Sequence, residues 1–190
     1  MDARIDEKRL GDRVVLRNVQ LSVAAGEFVA ITGPSGCGKS TLITILAGLD
    51  KAFRGSVQAP GRLGIVFQEP RLLPWYSVAK NIALAAPGLT GAAIAAGLDA
   101  VGLAGAGHLL PRQLSLGMAR RAALARALAV EPDLLLLDEP FVSLDEASAD
   151  KMRTLLAHIW RTRHPTVVMV THDLAEAARL AQRVVRLEVA

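Results

Sequence analysis

The feature that most constrains the fold of this chain is a glycine-rich stretch of the pattern G-x-x-x-x-G-K-S/T between two apolar segments. Its residues are Gly33, Pro34, Ser35, Gly36, Cys37, Gly38, Lys39, Ser40 and Thr41. Residues 27–32 before it have the character of a buried strand, and residues 42–47 after it predict a helix. A strand, a glycine-rich loop and a helix in this order form the setting in which proteins wrap nucleotide phosphates. We therefore expect an α/β fold whose loop binds ATP or GTP.

The chemistry of this phosphate loop assigns a role to each kind of residue in it. Glycines let successive backbone N–H groups turn inward around an anion, and the helix that begins near Lys39 adds the positive end of its dipole. We expect the Lys39 ammonium to reach the β and γ phosphates and the Ser40 hydroxyl to be a ligand of Mg²⁺. Cys37, the single cysteine of the chain, is expected to be a small side chain packed under the loop.

Strands and helices alternate along the rest of the chain, which is typical of a parallel sheet with crossover helices. We predict strands at residues 13–23, 27–32, 62–68, 134–137, 167–170 and 184–189, and helices at residues 42–47, 115–130, 144–163 and 174–182. Residues 77–111 are rich in alanine and glycine and predict short helices. The predicted fold is a P-loop NTPase, one domain over residues 1–190 with a mostly parallel core sheet, an N-terminal antiparallel β layer and a small α-helical subdomain at about residues 77–130.

Composition narrows the classes of partner and compartment. The 22 Lys and Arg residues and 18 Asp and Glu residues are spread along the chain, so we expect no nucleic-acid partner. Residues 82–110 carry a single formal charge, Asp99, but a proline and several glycines interrupt them, and we expect short helices there rather than a transmembrane helix. The first eight residues contain no apolar signal region, and one cysteine allows no intrachain disulfide, which favours a cytoplasmic protein.

Polar side chains follow three further predicted strands. Asp138 and Glu139 come directly after the apolar run of residues 134–137, while Gln68 and His172 stand at the ends of two other strands. Because ligands of open α/β sheets bind at the carboxyl ends of the strands, we expect these groups to meet at the phosphate loop. Asp138 is suited to hold Mg²⁺ through a water molecule, and Glu139 to accept a proton from an attacking water. Gln68 can offer its carbonyl oxygen to Mg²⁺ or to that water, and His172 can contact the γ-phosphate.

The sequence Leu-Ser-Leu-Gly-Met at residues 114–118 stands ahead of a helix and resembles the signature Leu-Ser-Gly-Gly-(Gln or Met) of the ATP-binding cassette (ABC) family. Over nearly the whole chain the order of motifs is similar to that family: phosphate loop, Gln68, helical region, signature, Asp138-Glu139, a Ser-Leu-Asp like the D-loop at residues 143–145, and His172. The resemblance implies that Ser115 and Gly117 close on the ATP held by a second subunit, so that a homodimer encloses two ATP molecules. It also implies that His172 is the switch histidine.

The segment Val-Phe-Gln-Glu-Pro-Arg-Leu-Leu-Pro-Trp at residues 66–75 is similar to the ATPases of bacterial nitrate, sulfonate and taurine importers. This resemblance implies a transmembrane permease as partner, a peripheral position on the cytoplasmic face of the membrane, and uptake of a small anion or a related solute. It further implies that the surface after Gln68 receives a coupling helix of the permease. Trp75 and Tyr76 are either apolar anchors for that helix or packing residues of the helical subdomain.

Two residues depart from the family pattern. Leu10 falls where the family places an aromatic side chain that stacks on adenine, and Leu116 replaces the first glycine of the signature. From Leu10 we expect weak ATP binding with little preference over GTP. The departures leave two interpretations open besides a transport ATPase: a degenerate cassette that binds nucleotide and regulates or scaffolds, and a soluble cassette ATPase outside transport.

Overall fold

The strands of this protein form two sheets in residues 1–189, the part of the chain that the computed structural model describes. In chain order they are β1 (Asp2–Leu10), β2 (Arg13–Ser22), β3 (Phe28–Thr32), β4 (Phe53–Gln58), β5 (Leu63–Val66), β6 (Leu134–Asp138), β7 (Thr166–Thr171) and β8 (Arg183–Arg186). The core sheet has the spatial order β5-β6-β7-β3-β8, and all its neighbouring strands run parallel. β2, β1 and β4 form a separate antiparallel sheet. These two sheets confirm the predicted α/β fold with a parallel core and an antiparallel layer.

The sequence pattern does not predict β1 and β4, because charged residues dominate β1 and β4 contains few apolar residues. A buried charged side chain of β1 is nevertheless satisfied by partners distant in sequence. Lys8 is 3% exposed, and its Nζ donates to Asp50 Oδ1 at 2.8 Å and to the Ala52 carbonyl at 2.9 Å. The formation of β1 thus depends on tertiary partners that periodicity does not reveal.

Helices connect the strands of the core sheet and cover it. They are α1 (Lys39–Leu46), α2 (Val78–Ala85), α3 (Gly91–Ala100), α4 (Leu116–Leu128), α5 (Glu146–Arg163) and α6 (Leu174–Leu180), with short 3-10 helices at Ala106–His108 and Pro111–Gln113. Ser115 is the N-cap of α4, and Asp145 is the N-cap of α5, so that α5 begins later than predicted. The predicted ends of α4, α6 and β8 at residues 130, 182 and 189 were too late, since these elements end at Leu128, Leu180 and Arg186.

Apolar packing fixes the phosphate loop and the neighbouring strand ends in place. One core cluster joins α1 and the antiparallel sheet to one face of the core sheet, and a second joins α4, α5 and α6 to the other face. A third cluster lies in the helical region between β5 and β6, where Val78 and Ile82 of α2 pack with Leu98 of α3 and Ala122 of α4. Within residues 1–189, no helix combines the length and the apolar character that crossing a membrane requires.

Candidate active site

An open cleft lies beside the phosphate loop at the carboxyl edge of the core sheet. Its lining residues are Leu10, Arg13, Val15, Ser35, Gly36, Gly38, Lys39, Ser40, Thr41, Gln68, Glu139 and His172. They come from the β1–β2 hairpin, from the loop after β3 and the first turn of α1, and from the segments that follow β5, β6 and β7. The cleft therefore stands where ligands bind in open parallel sheets.

The close packing of the phosphate loop requires glycine at two positions. At Gly38 the backbone is left-handed with φ 100°, and a Cβ there would stand 2.6 Å from Leu16 Cδ2. At Gly33 a Cβ would lie 2.5 Å from the Leu187 carbonyl oxygen. Cys37 is 1% exposed and fills the space beneath the loop, in the place that the sequence indicates for it.

Lys39 is the first residue of α1, and its side chain is turned onto the loop that precedes it. The Nζ donates to the Gly33 carbonyl at 2.8 Å and to the Pro34 carbonyl at 3.2 Å. It also stands 3.7 Å from Glu139 Oε1. The ammonium is thus largely buried, surrounded by oxygen atoms, and held at the mouth of the loop, where the attraction of a positive charge for phosphate is strongest.

Ser40, in the first turn of α1, meets Asp138 at the end of β6. The Ser40 hydroxyl donates to Asp138 Oδ1 at 3.1 Å, and Asp138 is 5% exposed at the end of β6. Burial raises the pKa of the Asp138 carboxyl, an effect that the hydrogen bond from Ser40 opposes. A hydroxyl and a buried carboxylate are hard oxygen donors, and a divalent cation beside them would offset the cost of the buried charge. This pair therefore fits Mg²⁺, with phosphate oxygens and water completing its shell.

Glu139 and His172 form a direct contact across the ends of β6 and β7. His172 Nδ1 lies 2.8 Å from Glu139 Oε2, and the His172 ring is largely exposed to the cleft. The Glu139 backbone adopts a left-handed φ of 47° while its N–H donates to the Val170 carbonyl at 3.0 Å. A residue other than glycine is strained in this backbone conformation. Strained residues of this kind are frequent at active sites, where the strain helps to hold a functional side chain in position.

Gln68 stands two residues beyond the end of β5 and lines the same cleft. The backbone that follows Gln68 is held by α4, because Arg126 of this helix donates to the carbonyls of Arg71 at 2.7 Å and Pro70 at 3.0 Å. The Arg71 guanidinium lies 4.1 Å above the centre of the Phe67 ring. These contacts fix the direction in which the chain leaves the sheet after Gln68.

Ser115 and Gly117 do not line this cleft. The Ser115 hydroxyl accepts the Met118 N–H at 3.2 Å, and a Cβ at Gly117 would lie 3.5 Å from Ser148 Oγ. Leu116 between them is 45% exposed. The structure thus brings Lys39, Ser40, Gln68, Asp138, Glu139 and His172 to one place and leaves the start of α4 beside the start of α5.

The sequence interpretation missed two residues of the cleft, Arg13 and Val15. Both belong to β2, and they share a face because side chains two residues apart in a strand point the same way. Leu10 lies opposite Arg13 in the paired strand β1. The alternating pattern of β2, together with the short turn after Leu10, was the signal that would have placed them beside the phosphate loop.

Comparison with known proteins agrees with this geometry. A family model described as ABC transporter matches residues 16–142. The chain is 51% identical to the aliphatic sulfonates import ATP-binding protein SsuB 2 of Burkholderia lata, over 98% of this chain and 72% of that protein. It is 50% identical to the aliphatic sulfonates import ATP-binding protein SsuB 1 of Streptomyces avermitilis, over 93% of this chain and 68% of that protein.

Two solved structures share the fold. The dimeric structure of MJ0796, a bacterial ABC transporter cassette, has a TM-score of 0.87 at 31% sequence identity over 99% of this chain and 94% of that chain. A dimeric post-hydrolysis state of the same cassette bound to ADP and Pi has a TM-score of 0.86 at 31% identity over 100% of this chain and 96% of that chain. The family model, the relatives and the folds agree: the chain belongs to the ABC transporter family and is an ATP-binding, ATP-hydrolysing subunit of a transporter.

Proposed function

We propose that this chain powers the import of an aliphatic sulfonate, or of a small anion of similar chemistry such as taurine or nitrate, through a membrane permease. The observation that carries the proposal is the cleft in which the Glu139 carboxylate lies 3.7 Å from Lys39 Nζ and 2.8 Å from His172 Nδ1. The substrate class is supported by relatives about half identical to this chain whose names state aliphatic sulfonate import. The residues after Gln68 resemble the same importers.

Nucleotide binding in this proposal belongs to the phosphate loop. The backbone N–H groups of the phosphate loop surround the phosphates, and the Lys39 ammonium exchanges its carbonyl partners for β and γ phosphate oxygens. Ser40 and Asp138 hold Mg²⁺, with Gln68 approaching from the other wall of the cleft. The bound ion neutralises phosphate charge and aligns the phosphate chain.

Hydrolysis belongs to the pair Glu139 and His172. The Glu139 carboxylate orients a water molecule and accepts its proton, and His172 fixes that carboxylate through the 2.8 Å contact. The Glu139→Gln variant keeps the shape of the side chain but is a far weaker base, so we expect hydrolysis to fall by about 10²–10⁴-fold while ATP still binds. A Mg²⁺-dependent ATPase assay and a nucleotide-binding assay on the same preparation measure both quantities, and unchanged turnover would remove Glu139 from this role.

A second copy of the chain completes each site in this proposal. Ser115, Gly117 and the N-terminus of α4 offer a hydroxyl, a backbone N–H and a positive dipole end, which together suit an anion. They lie outside the cleft of their own subunit, so they are available to a γ-phosphate bound by another. Dimeric cassettes of the same fold support this arrangement.

The permease meets the surface after Gln68 in this proposal. Trp75 and Tyr76 are 68% and 37% exposed, and their rings contact each other edge to face at 6.4 Å between centroids. Asn81 of α2 holds this segment by accepting the Leu73 N–H at 2.7 Å and donating to the Tyr76 carbonyl at 3.1 Å. Two rigidly presented aromatic side chains favour a docking surface over subdomain packing. The chain then lies peripherally on the cytoplasmic face of the membrane.

Growth on a defined sulfur source tests the proposal as a whole. A strain of the host that lacks this chain should grow on inorganic sulfate but not on an alkanesulfonate as sole sulfur source, and the intact chain should restore growth. The Glu139→Gln chain, expressed to the same level, should fail to restore it. If the deletion strain grows on the sulfonate but fails to grow on nitrate as nitrogen source, the imported anion belongs to the nitrate class instead. Growth of the deletion strain on every such source would overturn the import function.

A further inference from the structure

A buried hydrogen-bond network lies directly behind His172 and involves residues outside the cleft. Thr171, the last residue of β7, is 0% exposed. Its hydroxyl donates to Glu176 Oε2 at 3.0 Å and accepts the Asp173 N–H at 3.1 Å. The bond from Asp173 spans His172 and the bond to Glu176 ties the same hydroxyl to α6, so together they fix the backbone from which the imidazole projects.

Glu176 is held in this network from two sides. Its carboxylate accepts the Thr171 hydroxyl through one oxygen, and its other oxygen lies 3.7 Å from Arg153 Nη2 of α5. Arg153 is itself anchored, because its Nη1 lies 2.9 Å from Glu146 Oε1 and its guanidinium lies over the Phe141 ring. Burial, with the negative charges of Asp173 and Glu139, raises the pKa of the Glu176 carboxyl, whereas Arg153 and the Thr171 hydroxyl act in the opposite direction.

Helix capping does not account for the position of Glu176. Asp173 already caps α6, since its Oδ1 accepts the N–H groups of Ala175 at 2.7 Å and Glu176 at 3.2 Å. The Glu176 carboxylate is turned away from its own helix and back to the end of β7. Burying a carboxylate costs free energy unless its contacts are needed. Besides the ion pair with Arg153, the carboxylate accepts the hydroxyl of Thr171, the residue next to His172.

We propose that Thr171 and Glu176 are positioning residues for the His172–Glu139 pair. The inference rests on the proposed roles of His172 and Glu139 in hydrolysis. His172 is largely exposed, and within residues 1–189 its ring has one side-chain hydrogen-bond partner, Glu139. The ring therefore depends on its backbone for its place, and the Thr171 hydroxyl and the Glu176 carboxylate provide the rigid support.

The test is the Thr171→Val variant, which keeps the branched shape and removes the hydroxyl. We expect kcat for ATP hydrolysis to fall by about tenfold to a hundredfold with KM for ATP nearly unchanged, because a small displacement of a catalytic group is costly whereas the phosphate loop is untouched. Thr171→Ser, which restores the hydroxyl, should recover most of kcat. Thr162→Val is the matched control, because within residues 1–189 the Thr162 hydroxyl bonds only to carbonyls of its own helix.

A double-mutant cycle with His172→Ala decides whether Thr171 acts through the histidine. If it does, Thr171→Val adds no further loss in kcat once His172 is alanine. Additive losses, or an equal rise in KM, would overturn the proposal, as would a Thr171→Val enzyme with full kcat. Measuring Glu139→Gln and His172→Ala alongside distinguishes failure of the proposed hydrolysis site from failure of the positioning role. Full turnover in both variants would refute the proposed hydrolysis site. Loss of turnover in both, with normal turnover in Thr171→Val, would refute only the positioning role. Thermal unfolding of each variant identifies a loss that comes from misfolding.

Discussion

At the scale of single residues, the burial of the Asp138 carboxyl serves Mg²⁺ binding in the proposed site but lowers the stability of the fold. Because burial raises its pKa, the folded protein favours the protonated form, and ionisation of the carboxyl makes folding less favourable. Asp138→Asn keeps the shape and can still accept the Ser40 hydroxyl, but it carries no charge. We expect this variant to be more stable at neutral pH by on the order of 1 kcal/mol and to lose Mg²⁺-dependent hydrolysis.

The sign of this effect predicts its pH dependence. Below its raised pKa the Asp138 carboxyl of the folded wild type is protonated and uncharged, like the amide of the variant. The difference in unfolding free energy between Asp138→Asn and wild type should therefore shrink as the pH falls toward about 4. Urea unfolding of both proteins at neutral and at acid pH gives the difference directly, and effects of other titrating groups cancel in it. A variant less stable than wild type at neutral pH would contradict the expectation.

Leu10 predicts how selective the site is for the nucleotide base. It is 56% exposed at the wall of the cleft and presents an aliphatic surface where a base would lie. Stacking of a base on an aromatic ring contributes about 1–3 kcal/mol, so we expect Leu10→Tyr to tighten ATP binding by about tenfold or more. Wild type should bind ATP and GTP with similar affinity. Fluorescence titration with both nucleotides measures this, and strong adenine selectivity in the wild type would contradict it.

At the scale of elements, Asn81 joins α2 to the segment that carries Trp75 and Tyr76. Asn81 is 2% exposed, and its amide bonds the backbone of Leu73, Tyr76 and Ser77. Asn81→Ala leaves several backbone groups without partners, so we expect a loss of about 2–4 kcal/mol in unfolding free energy. Lys80→Ala, an exposed neighbour in the same helix, should change it little. Chemical denaturation of the two variants compares them, and equal small losses would mean that water replaces the amide.

The elements that the sequence predicted well are those whose local pattern agrees with their final environment. β3 and β6 are short apolar runs beside recognisable turns, and their burial follows from composition. β1 could not be predicted from the same information, because its charged residues are accommodated by partners such as Asp50. Local pattern identifies buried parallel strands, but it does not identify a charge-rich strand stabilised by ion pairs and by pairing with strands on both sides.

The candidate site likewise has parts that the sequence predicts and parts that it does not. The phosphate loop and the strand-end positions of Asp138 and His172 follow from sequence, because parallel strands bring their carboxyl ends to one edge. The left-handed backbone of Glu139 and its 2.8 Å contact with His172 do not follow, since they depend on side-chain conformations set by neighbouring elements. The hydrogen bond between Thr171 and Glu176 likewise depends on side-chain conformations, although the two residues are close in the chain.

At the scale of the whole molecule, the separation of Ser115 from Lys39 predicts how two copies cooperate. If each ATP lies between the phosphate loop of one subunit and the start of α4 of the other, two different inactive subunits can form an active pair. A Lys39→Ala subunit lacks the charge that binds phosphate, and a Ser115→Arg subunit obstructs the partner's nucleotide. Each should be inactive alone, because both sites of each symmetric dimer contain the defect.

Mixing the two variants restores one intact site in every heterodimer, made from the loop of the Ser115→Arg subunit and the signature of the Lys39→Ala subunit. With random pairing of equal amounts, half of the dimers are mixed and each has one working site, so we expect about a quarter of the wild-type rate per subunit if the sites are independent. The measurement is ATPase activity against the mixing ratio at fixed total protein. A curve with its maximum at equal amounts indicates composite sites. A Ser115→Arg protein that is active by itself, with mixtures that follow the weighted sum of the two parents at every ratio, would mean that each subunit hydrolyses ATP alone, and Ser115 and Gly117 would then have no part in the site.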